Sequence, residues 1–196
     1  MKIEKIENRH IDEIVEIYIK ELNMTLLSML GRNFIKKMFE ISLKDNLGFV
    51  SLSDENLKVN GFVFMTKKNV SLFRCINLHT LFCFIKNILF DFKNLKAFII
   101  SFFKLYLQRN SLKNNFNRVV ELSHIAVTEL NKSKGIGSQL IKNFEKHAIL
   151  EGYNTVFSST HNQKFAEYYV KKKNARLLSI IDIGIYKSHT IIWNLK

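Results

Sequence analysis

The sequence predicts a mixed α/β protein with a central sheet of about seven strands and flanking helices. Three observations support this prediction. The chain has 196 residues, enough for one large domain with a sizeable core over residues 1–196. Its hydrophobic and charged fractions, 47% and 24%, are ordinary for a soluble globular protein. Strand-like and helix-like segments follow one another along it, without a fixed-period repeat or a linker.

The first third of the chain predicts the order strand, helix, helix, strand, strand. Residues 2–7 alternate as in a short strand, and apolar side chains at helical spacing follow from Ile11 onward. A second helix is predicted over roughly 25–43, where one broad face is apolar. Residues 47–53 and 58–68 then predict two strands joined by the turn Asp-Glu-Asn-Leu.

The last third alternates strands with helices. The near-continuous apolar run 119–127 predicts a buried strand, and a glycine-containing turn and an amphipathic helix follow it. Residues 155–160 predict a fifth strand and residues 162–173 a helix. The chain is expected to close with two strands joined by a turn near Lys187–Ser188.

Between these regions, residues 69–117 form a long segment dense in Phe, Leu and Ile. Lys and Asp side chains interrupt every window of about 20 apolar residues that a membrane-spanning helix needs, so the segment predicts two amphipathic helices broken near Asp91. Two interpretations stay open. The segment is either an added helical layer on the sheet, or a basic, aromatic-rich surface that lies on an anionic membrane or a partner.

The net charge of +13 is compatible with nucleic acid, an anionic membrane or an acidic ligand as partner. The chain is rich in Lys, Asn, Ile and Phe and has no proline, a bias typical of an AT-rich genome, so nucleic acid is not favoured. Cys75 and Cys83 lack metal-ligand spacing, and we expect free thiols in a reducing cytoplasm and no metal. The charged start, MKIEKIENRH, predicts no export signal. We therefore expect a cytoplasmic protein, peripheral at the inner membrane face if 69–117 binds lipid.

Two glycines, Gly135 and Gly137, stand between the predicted strand 119–127 and the next helix. A helix N-terminus has unpartnered backbone N–H groups and the positive end of the helix dipole, so it binds anions. Glycines let a phosphate approach the backbone, and the flanking lysines and serines add charge and hydroxyl donors. The Walker pattern and the third glycine of a dinucleotide fingerprint are absent. A pyrophosphate site and a plain tight turn both fit this segment.

The stretch from Glu121 to Leu178 resembles the core of the GNAT superfamily of acyl-CoA-dependent N-acetyltransferases. The family pattern after the fourth strand is [Gln/Arg]-x-x-Gly-x-[Gly/Ala], and Lys132 to Gly137 matches it with Lys in the first position. The order of elements in the first third agrees as well. The resemblance implies the GNAT fold, with a mostly antiparallel sheet, a helical insertion over 69–117 and acetyl-CoA as co-substrate.

The same resemblance implies which backbone amides hold acetyl-CoA. Those at the end of the fourth strand would hold the pantetheine arm and the thioester; they belong to Ile125, Ala126 and Val127. Those around the glycine turn would hold the phosphates; they belong to Lys132, Ser133, Lys134, Gly135, Ile136, Gly137 and Ser138. Asn162 is expected to cap the helix that follows it and to contact CoA.

Acetyl transfer to an amine needs a base, and the resemblance implies Glu121, because some GNAT members place a glutamate six residues before the position of Val127. In a regular strand, one face is shared by Glu121, Ser123, Ile125 and Val127. A structural glutamate is the alternative. His124 points to the opposite face, where we expect it to be packed in the core. His161 is either a second rival base or a solvated loop residue.

For the acid, the loose family pattern N-x-x-A-x-x-x-Y implies Tyr169, seven residues after Asn162, with its hydroxyl toward the CoA sulfur. A register shift of one residue would select Tyr168 instead. Asn174, where the family usually has Gly, follows a segment one residue longer than common, which keeps this choice open. The purely structural alternative is one core tyrosine and one surface tyrosine.

These residues predict an N-acetyltransferase that transfers an acetyl group from acetyl-CoA directly to a primary amine. No covalent enzyme intermediate is expected, because both cysteines lie in the insertion and not near the motif. The expected acceptor is a small molecule such as an amino sugar. The alternatives are a protein N-terminal or lysine acetyltransferase, and a non-catalytic module that binds CoA, nucleic acid or a membrane. The sequence leaves the oligomeric state open.

Overall fold

The computed structural model describes most of the chain outside the apolar middle segment. The described residues are 1–23, 25, 27–67, 103–104, 107–108, 111–112, 118–182 and 186–195. Both cysteines and most of the segment 69–117, including the expected break near Asp91, lie outside the described residues. Residues 103–104, 107–108 and 111–112 of this segment are described and are helical.

Within these residues the chain forms seven strands and four α-helices. They are β1 (Lys2–Lys5), α1 (Ile11–Glu21), α2 (Arg32–Ser42), β2 (Leu47–Leu52), β3 (Val59–Thr66), β4 (Val119–Val127), α3 (Ile136–Leu150), β5 (Thr155–Thr160), α4 (Gln163–Lys173), β6 (Arg176–Asp182) and β7 (Lys187–Asn194). The strands form one sheet in the order β1-β2-β3-β4-β5-β7-β6. β4 and β5 run parallel, whereas β1–β2, β2–β3, β5–β7 and β6–β7 are antiparallel. The predicted mixed α/β fold class is confirmed.

Two predicted boundaries are wrong. The second helix begins at Arg32 and not near residue 25, because Gly31 adopts a φ of 85° and follows a short 3-10 turn at Ser28–Leu30. A residue with positive φ cannot continue a right-handed helix. Lys187 and Ser188, where the final turn was expected, are the first two residues of β7.

The described residues fall into two compact units. The first is drawn from Met1–Asn87 and Ser123–His147. Its core contains the inner faces of α1 and α2 and the apolar side chains of β2 and β3. The ring of Phe39 lies edge-on to those of Tyr18, Phe62 and Phe64, with centroids 5.4–5.8 Å apart. Each such buried ring contributes roughly 1.5–3 kcal/mol, so this aromatic cluster holds both helices on the strands.

The second unit is drawn from Ile88–Leu122 and Ala148–Lys196. Its strands pair from β5 through β7 to β6, and α4 packs on β7 through the ring contact of Tyr169 with Trp193 at 4.5 Å. Two described residues of the middle segment also lie here. Leu112 packs with apolar sheet side chains, and Oε1 of Gln108 accepts a hydrogen bond from Thr190 at 3.2 Å. β4 contributes residues to both units.

Candidate functional site

The turn after β4 is held against β3 by hydrogen bonds. The backbone N–H of Thr128 donates to the carbonyl of Asn60 at 2.8 Å. The side-chain nitrogen Nδ2 of Asn131 donates to Oδ1 of Asn60 at 3.2 Å and to Oγ1 of Thr128 at 3.0 Å. The 3-10 turn Glu129–Asn131 therefore has a fixed place in the first unit.

The N-terminus of α3 follows this turn. Residues 132–135 and Ser138 are exposed there, whereas the side chain of Ile136 is buried. The first helical hydrogen bond runs from the N–H of Gln139 to the carbonyl of Gly135 at 3.1 Å. Helix geometry then leaves the N–H groups of Ile136, Gly137 and Ser138 without acceptors inside the helix, at the positive end of its dipole. Ser133 and Gly135 have φ values of 65° and 79°. A backbone bent in this way next to a helix N-terminus makes a concavity suited to a phosphate.

The two glycines of the turn differ in what the fold requires of them. Gly135 needs its positive φ, which other residues adopt only with strain. Gly137 has no such requirement, and within the described residues a Cβ placed on it would meet only Cγ2 of Val127, at 3.8 Å. The described part of the protein therefore tolerates a side chain at position 137, and the missing Cβ leaves room in front of the helix N-terminus.

The end of β4 lies beside this helix start. Cγ2 of Val127 lies 3.8 Å from the point where a Cβ on Gly137 would be, and Ala126 is buried in the core of the first unit. Gly61 of β3 allows the close approach of β4, because a Cβ there would lie 2.8 Å from the carbonyl oxygen of Ala126. The structure thus brings together, within one unit, the two segments predicted to bind the cofactor: Ile125 to Val127 and Lys132 to Ser138.

The side chain of Lys132 is already engaged. Its ammonium pairs with the carboxylate of Glu129 and, at 2.9 Å, with that of Glu21. Hydrogen bonds to Glu129 and Glu21 raise the pKa of Lys132 above its usual value. Lys134 donates to Oδ1 of Asn131 at 3.2 Å. Sequence reasoning missed Glu21, although an acidic residue in the last turn of a helix is an unfavourable placement that calls for a partner.

Glu121 lies in the part of β4 that belongs to the second unit. It is 2% exposed, and its pairing with Phe157 is the last of the three residue pairs in the parallel β4–β5 ladder. One residue further on, the hydroxyl of Ser158 donates to the carbonyl of Leu122 at 2.8 Å. A buried carboxylate therefore stands where the parallel pairing ends.

The two histidines considered as bases, His124 and His161, have different surroundings. The ring of His124 lies 5.3 Å from that of Tyr18 and 5.8 Å from that of Phe39, so it packs with the aromatic cluster of the first unit, as the strand alternation predicts. His161 follows β5 and is partly buried, with its ring 5.5 Å from that of Tyr186. This burial lowers the pKa of His161 below its ordinary value, which favours the neutral imidazole.

The start of α4 confirms the predicted cap. Oδ1 of Asn162 accepts a hydrogen bond from the N–H of Phe165 at 3.1 Å, and the Asn162 side chain is exposed. The amide nitrogen of that side chain is not the capping atom, so the cap and a ligand contact are compatible. At the other end of the helix, Asn174 adopts the left-handed conformation (φ 51°, ψ 35°) that Gly usually takes there.

The two tyrosines of α4 separate into one core and one surface residue. Tyr169 is 0% exposed and contacts the rings of Phe165 and Trp193, with centroids 4.8 and 4.5 Å away. Tyr168 is 47% exposed. Tyr169 thus has the more fixed hydroxyl and Tyr168 the more accessible one.

Two other kinds of site are absent from the described residues. No group of three or more potential metal ligands occurs there. Within the same residues, no helix is long and apolar enough to cross a membrane.

No family model matches the sequence, and no curated protein matches it either. Solved structures do resemble the fold. An aminoglycoside 6'-N-acetyltransferase complexed with coenzyme A superimposes with a TM-score of 0.61 at 9% identity, covering 100% of this chain and 98% of that one. The ribosomal-protein-S18-alanine N-acetyltransferase from Escherichia coli gives 0.59 at 11% identity, with coverages of 100% and 94%.

A structure described as an acetyltransferase of the GNAT family, from Desulfovibrio desulfuricans, gives a TM-score of 0.56 at 9% identity, with coverages of 100% and 99%. These likenesses span the whole chain, and they agree with the strand order and with the glycine turn between β4 and α3. At such low identity they show the fold alone. The chain has the fold of the GNAT N-acetyltransferases.

Proposed function

We propose that the protein is an acyl-CoA-dependent N-acetyltransferase that transfers an acetyl group directly to a primary amine of a small molecule. The observation that carries this proposal is the N-terminus of α3, which follows the glycine turn after β4 in a GNAT fold. Three backbone N–H groups, at Ile136, Gly137 and Ser138, lack helical acceptors there and can bind a pyrophosphate. The room left by the missing Cβ of Gly137 also supports a ligand of this kind.

Acetyl-CoA, when bound, supplies an acetyl group already activated as a thioester. The backbone amides of Ile125, Ala126 and Val127 are proposed to align its pantetheine arm and thioester carbonyl. Positioning of this kind lowers the activation free energy, because the reacting groups are already aligned when they are bound. In well-oriented intramolecular reactions the reduction reaches about 7–11 kcal/mol. Backbone donors aimed at the carbonyl oxygen would stabilise the negative charge that develops during attack.

Glu121 is proposed as the base that removes the proton of the attacking amine. Its support is a carboxylate buried in an apolar strand, at the last pair of the β4–β5 ladder. Such a group is fixed in place and shielded from bulk water, as a general base should be. His161, kept neutral by the lowered pKa, is the alternative base.

Tyr169 is proposed as the acid that gives a proton to the departing sulfur. The packing of its ring on Phe165 and Trp193 supports this role, because it fixes the direction of the hydroxyl. Tyr168 is the alternative, supported by its exposure. Asn162 is proposed to contact CoA through its side-chain amide while its oxygen caps α4.

For the acceptor we propose an amine on a small hydroxylated molecule such as an amino sugar. The similarity to an aminoglycoside 6'-N-acetyltransferase supports this class. The similarity to a ribosomal-protein N-acetyltransferase supports a second candidate, acetylation of a protein amine. The net charge of +13 would favour an acidic peptide in that case.

The test begins with calorimetric titration of the protein with acetyl-CoA at moderate salt, with ATP and NAD as phosphate controls. Micromolar binding of acetyl-CoA alone is expected. Thiol release is then followed with panels of amino sugars and of peptides, which separates the two acceptor classes. Absence of acetyl-CoA binding would overturn the proposal. Binding without turnover of any amine would favour a non-catalytic CoA-binding module.

A further inference from the structure

Glu21 stands in a place that its own helix does not favour. It is the last residue of α1, where a negative charge opposes the helix dipole. Its side chain is nevertheless only 8% exposed. A buried acid at the wrong end of a helix needs partners, and both of its partners lie more than a hundred residues away in the sequence, in the turn after β4.

The carboxylate of Glu21 holds that turn at both ends. Oε1 accepts a hydrogen bond from the backbone N–H of Glu129 at 3.0 Å. Oε2 pairs with Nζ of Lys132 at 2.9 Å. The carboxylate of Glu129 completes the group, but it is 67% exposed and so is screened by solvent. Glu21 is therefore the better-shielded partner of Lys132.

The turn is tied on its other side to β3. Asn60 accepts hydrogen bonds from the backbone N–H of Thr128 and the side chain of Asn131. Residues 128–132 are thus held between α1 and β3, immediately before the left-handed Ser133 and the start of α3. Without Glu21, the contacts that remain for this turn among the described residues include those with Asn60 of β3 and the Lys132–Glu129 pair inside it, while the backbone from 129 to 133 loses this attachment to α1.

We infer that Glu21 is a positioning residue for the cofactor. By fixing Glu129 and Lys132, it sets the direction in which the N–H groups at the start of α3 face the pyrophosphate. It also compensates the charge of Lys132, so that the backbone and Lys134 are left to meet the phosphates. This inference rests on the proposed function, since it assigns a role to Glu21 in the same site.

The experiment compares Glu21→Ala, Glu21→Gln and Lys132→Met with Asp12→Asn as a matched control. Asp12 is at the other end of α1 and pairs with Lys36 at 2.6 Å without touching the turn. Glu21→Ala is expected to raise the Kd for CoA and the KM for acetyl-CoA about tenfold, the loss of roughly one charged hydrogen bond. The kcat and the acceptor KM should stay unchanged. Glu21→Gln should lose less, because its amide oxygen can still accept from Glu129.

A double-mutant cycle identifies the mechanism. If Glu21 acts on the turn through Lys132 as well as Glu129, Glu21→Ala combined with Lys132→Met should weaken CoA binding by less than the product of the two single effects. Asp12→Asn should bind CoA like the wild type. If Glu21→Ala does not fold by circular dichroism, Lys132→Met and Glu21→Gln serve instead, and each should raise the Kd.

The outcomes separate this inference from the proposed function. If the wild type binds CoA and the folded Glu21 and Lys132 variants bind it equally well, the inference is wrong and the proposed function stands. If kcat falls while the KM for acetyl-CoA is unchanged, Glu21 does not act by positioning the cofactor. If the wild type binds no CoA, the proposed function fails and the inference fails with it.

Discussion

Gly137 lies next to Val127, and a Cβ on Gly137 would be 3.8 Å from Cγ2 of Val127. This is an ordinary van der Waals distance, so a methyl group would fit there without strain. Gly135, two residues earlier, is held at a φ of 79°. One glycine of the turn is thus required by the backbone conformation. The other is not required by anything in the described part of the protein.

Replacing each glycine with alanine separates folding from binding. Gly137→Ala should leave the melting temperature unchanged or slightly higher, because alanine favours a helix, and should weaken CoA binding by filling the space before the helix N-terminus. Gly135→Ala should lower stability by about 1–2 kcal/mol. Thermal unfolding and calorimetry on both variants check this. Wild-type CoA affinity in Gly137→Ala would contradict the assignment of that space to the cofactor.

Glu121→Gln should lower kcat while CoA binding stays the same. The change keeps the size of the side chain but removes the proton acceptor, and loss of a general base costs roughly 10²–10⁴-fold in rate. Glu40→Gln is the control, because Glu40 lies on α2, is 38% exposed and pairs with Lys37 at 3.7 Å. A Glu121→Gln enzyme with full turnover would remove Glu121 from the mechanism, and His161→Asn would then be the next variant to assay.

Tyr169→Phe and Tyr168→Phe decide between the two acids. Each change removes one hydroxyl and keeps the ring, so the packing of Tyr169 on Trp193 persists. We expect Tyr169→Phe to reduce kcat roughly 10²-fold and Tyr168→Phe to leave it unchanged. The reverse pattern would assign the acid to Tyr168. Equal wild-type rates would mean that neither hydroxyl gives the proton.

Asn162 allows its two roles to be measured apart. Asn162→Ala removes the cap on Phe165 and should cost about 0.5–2 kcal/mol of stability in urea unfolding. Asn162→Asp keeps a capping oxygen but lacks the amide donor, so it should be as stable as the wild type and bind CoA more weakly. If Asn162→Asp binds CoA normally, Asn162 is a cap and nothing more.

His161 should make stability depend on pH. Its burial lowers the folded-state pKa below the unfolded value of 6.5, so the unfolded chain binds more protons between these two values. Stability should therefore fall as pH decreases through 6.5 and level off below the folded pKa. Urea unfolding across this range, on the wild type and on His161→Asn, measures the effect. Parallel curves for the two proteins would rule out His161 as the cause.

The sequence predicted the bounds of the strands next to the candidate site better than it predicted the contacts that hold the turn after β4 in place. The bounds of β4 and β5 match the predicted runs 119–127 and 155–160, because both are buried apolar runs that end at turn residues. The side of β4 on which His124 lies follows from alternation alone.

What the sequence did not reveal depends on backbone angles and on distant contacts. The positive φ of Gly31 delays the start of α2, and no periodicity of the apolar residues reports it. The pairing of Glu21 with the turn after β4 joins residues more than a hundred positions apart. Only the unfavourable charge at the end of α1 hinted that such a partner existed.

The difference between the two glycines also bears on how this turn can change over generations. A descendant that no longer bound the proposed cofactor would be free to replace the residue at position 137, while position 135 would stay constrained for as long as the chain kept its shape. Among related chains, the residue at position 137 should therefore distinguish lineages that still use the cofactor from lineages that keep only the scaffold.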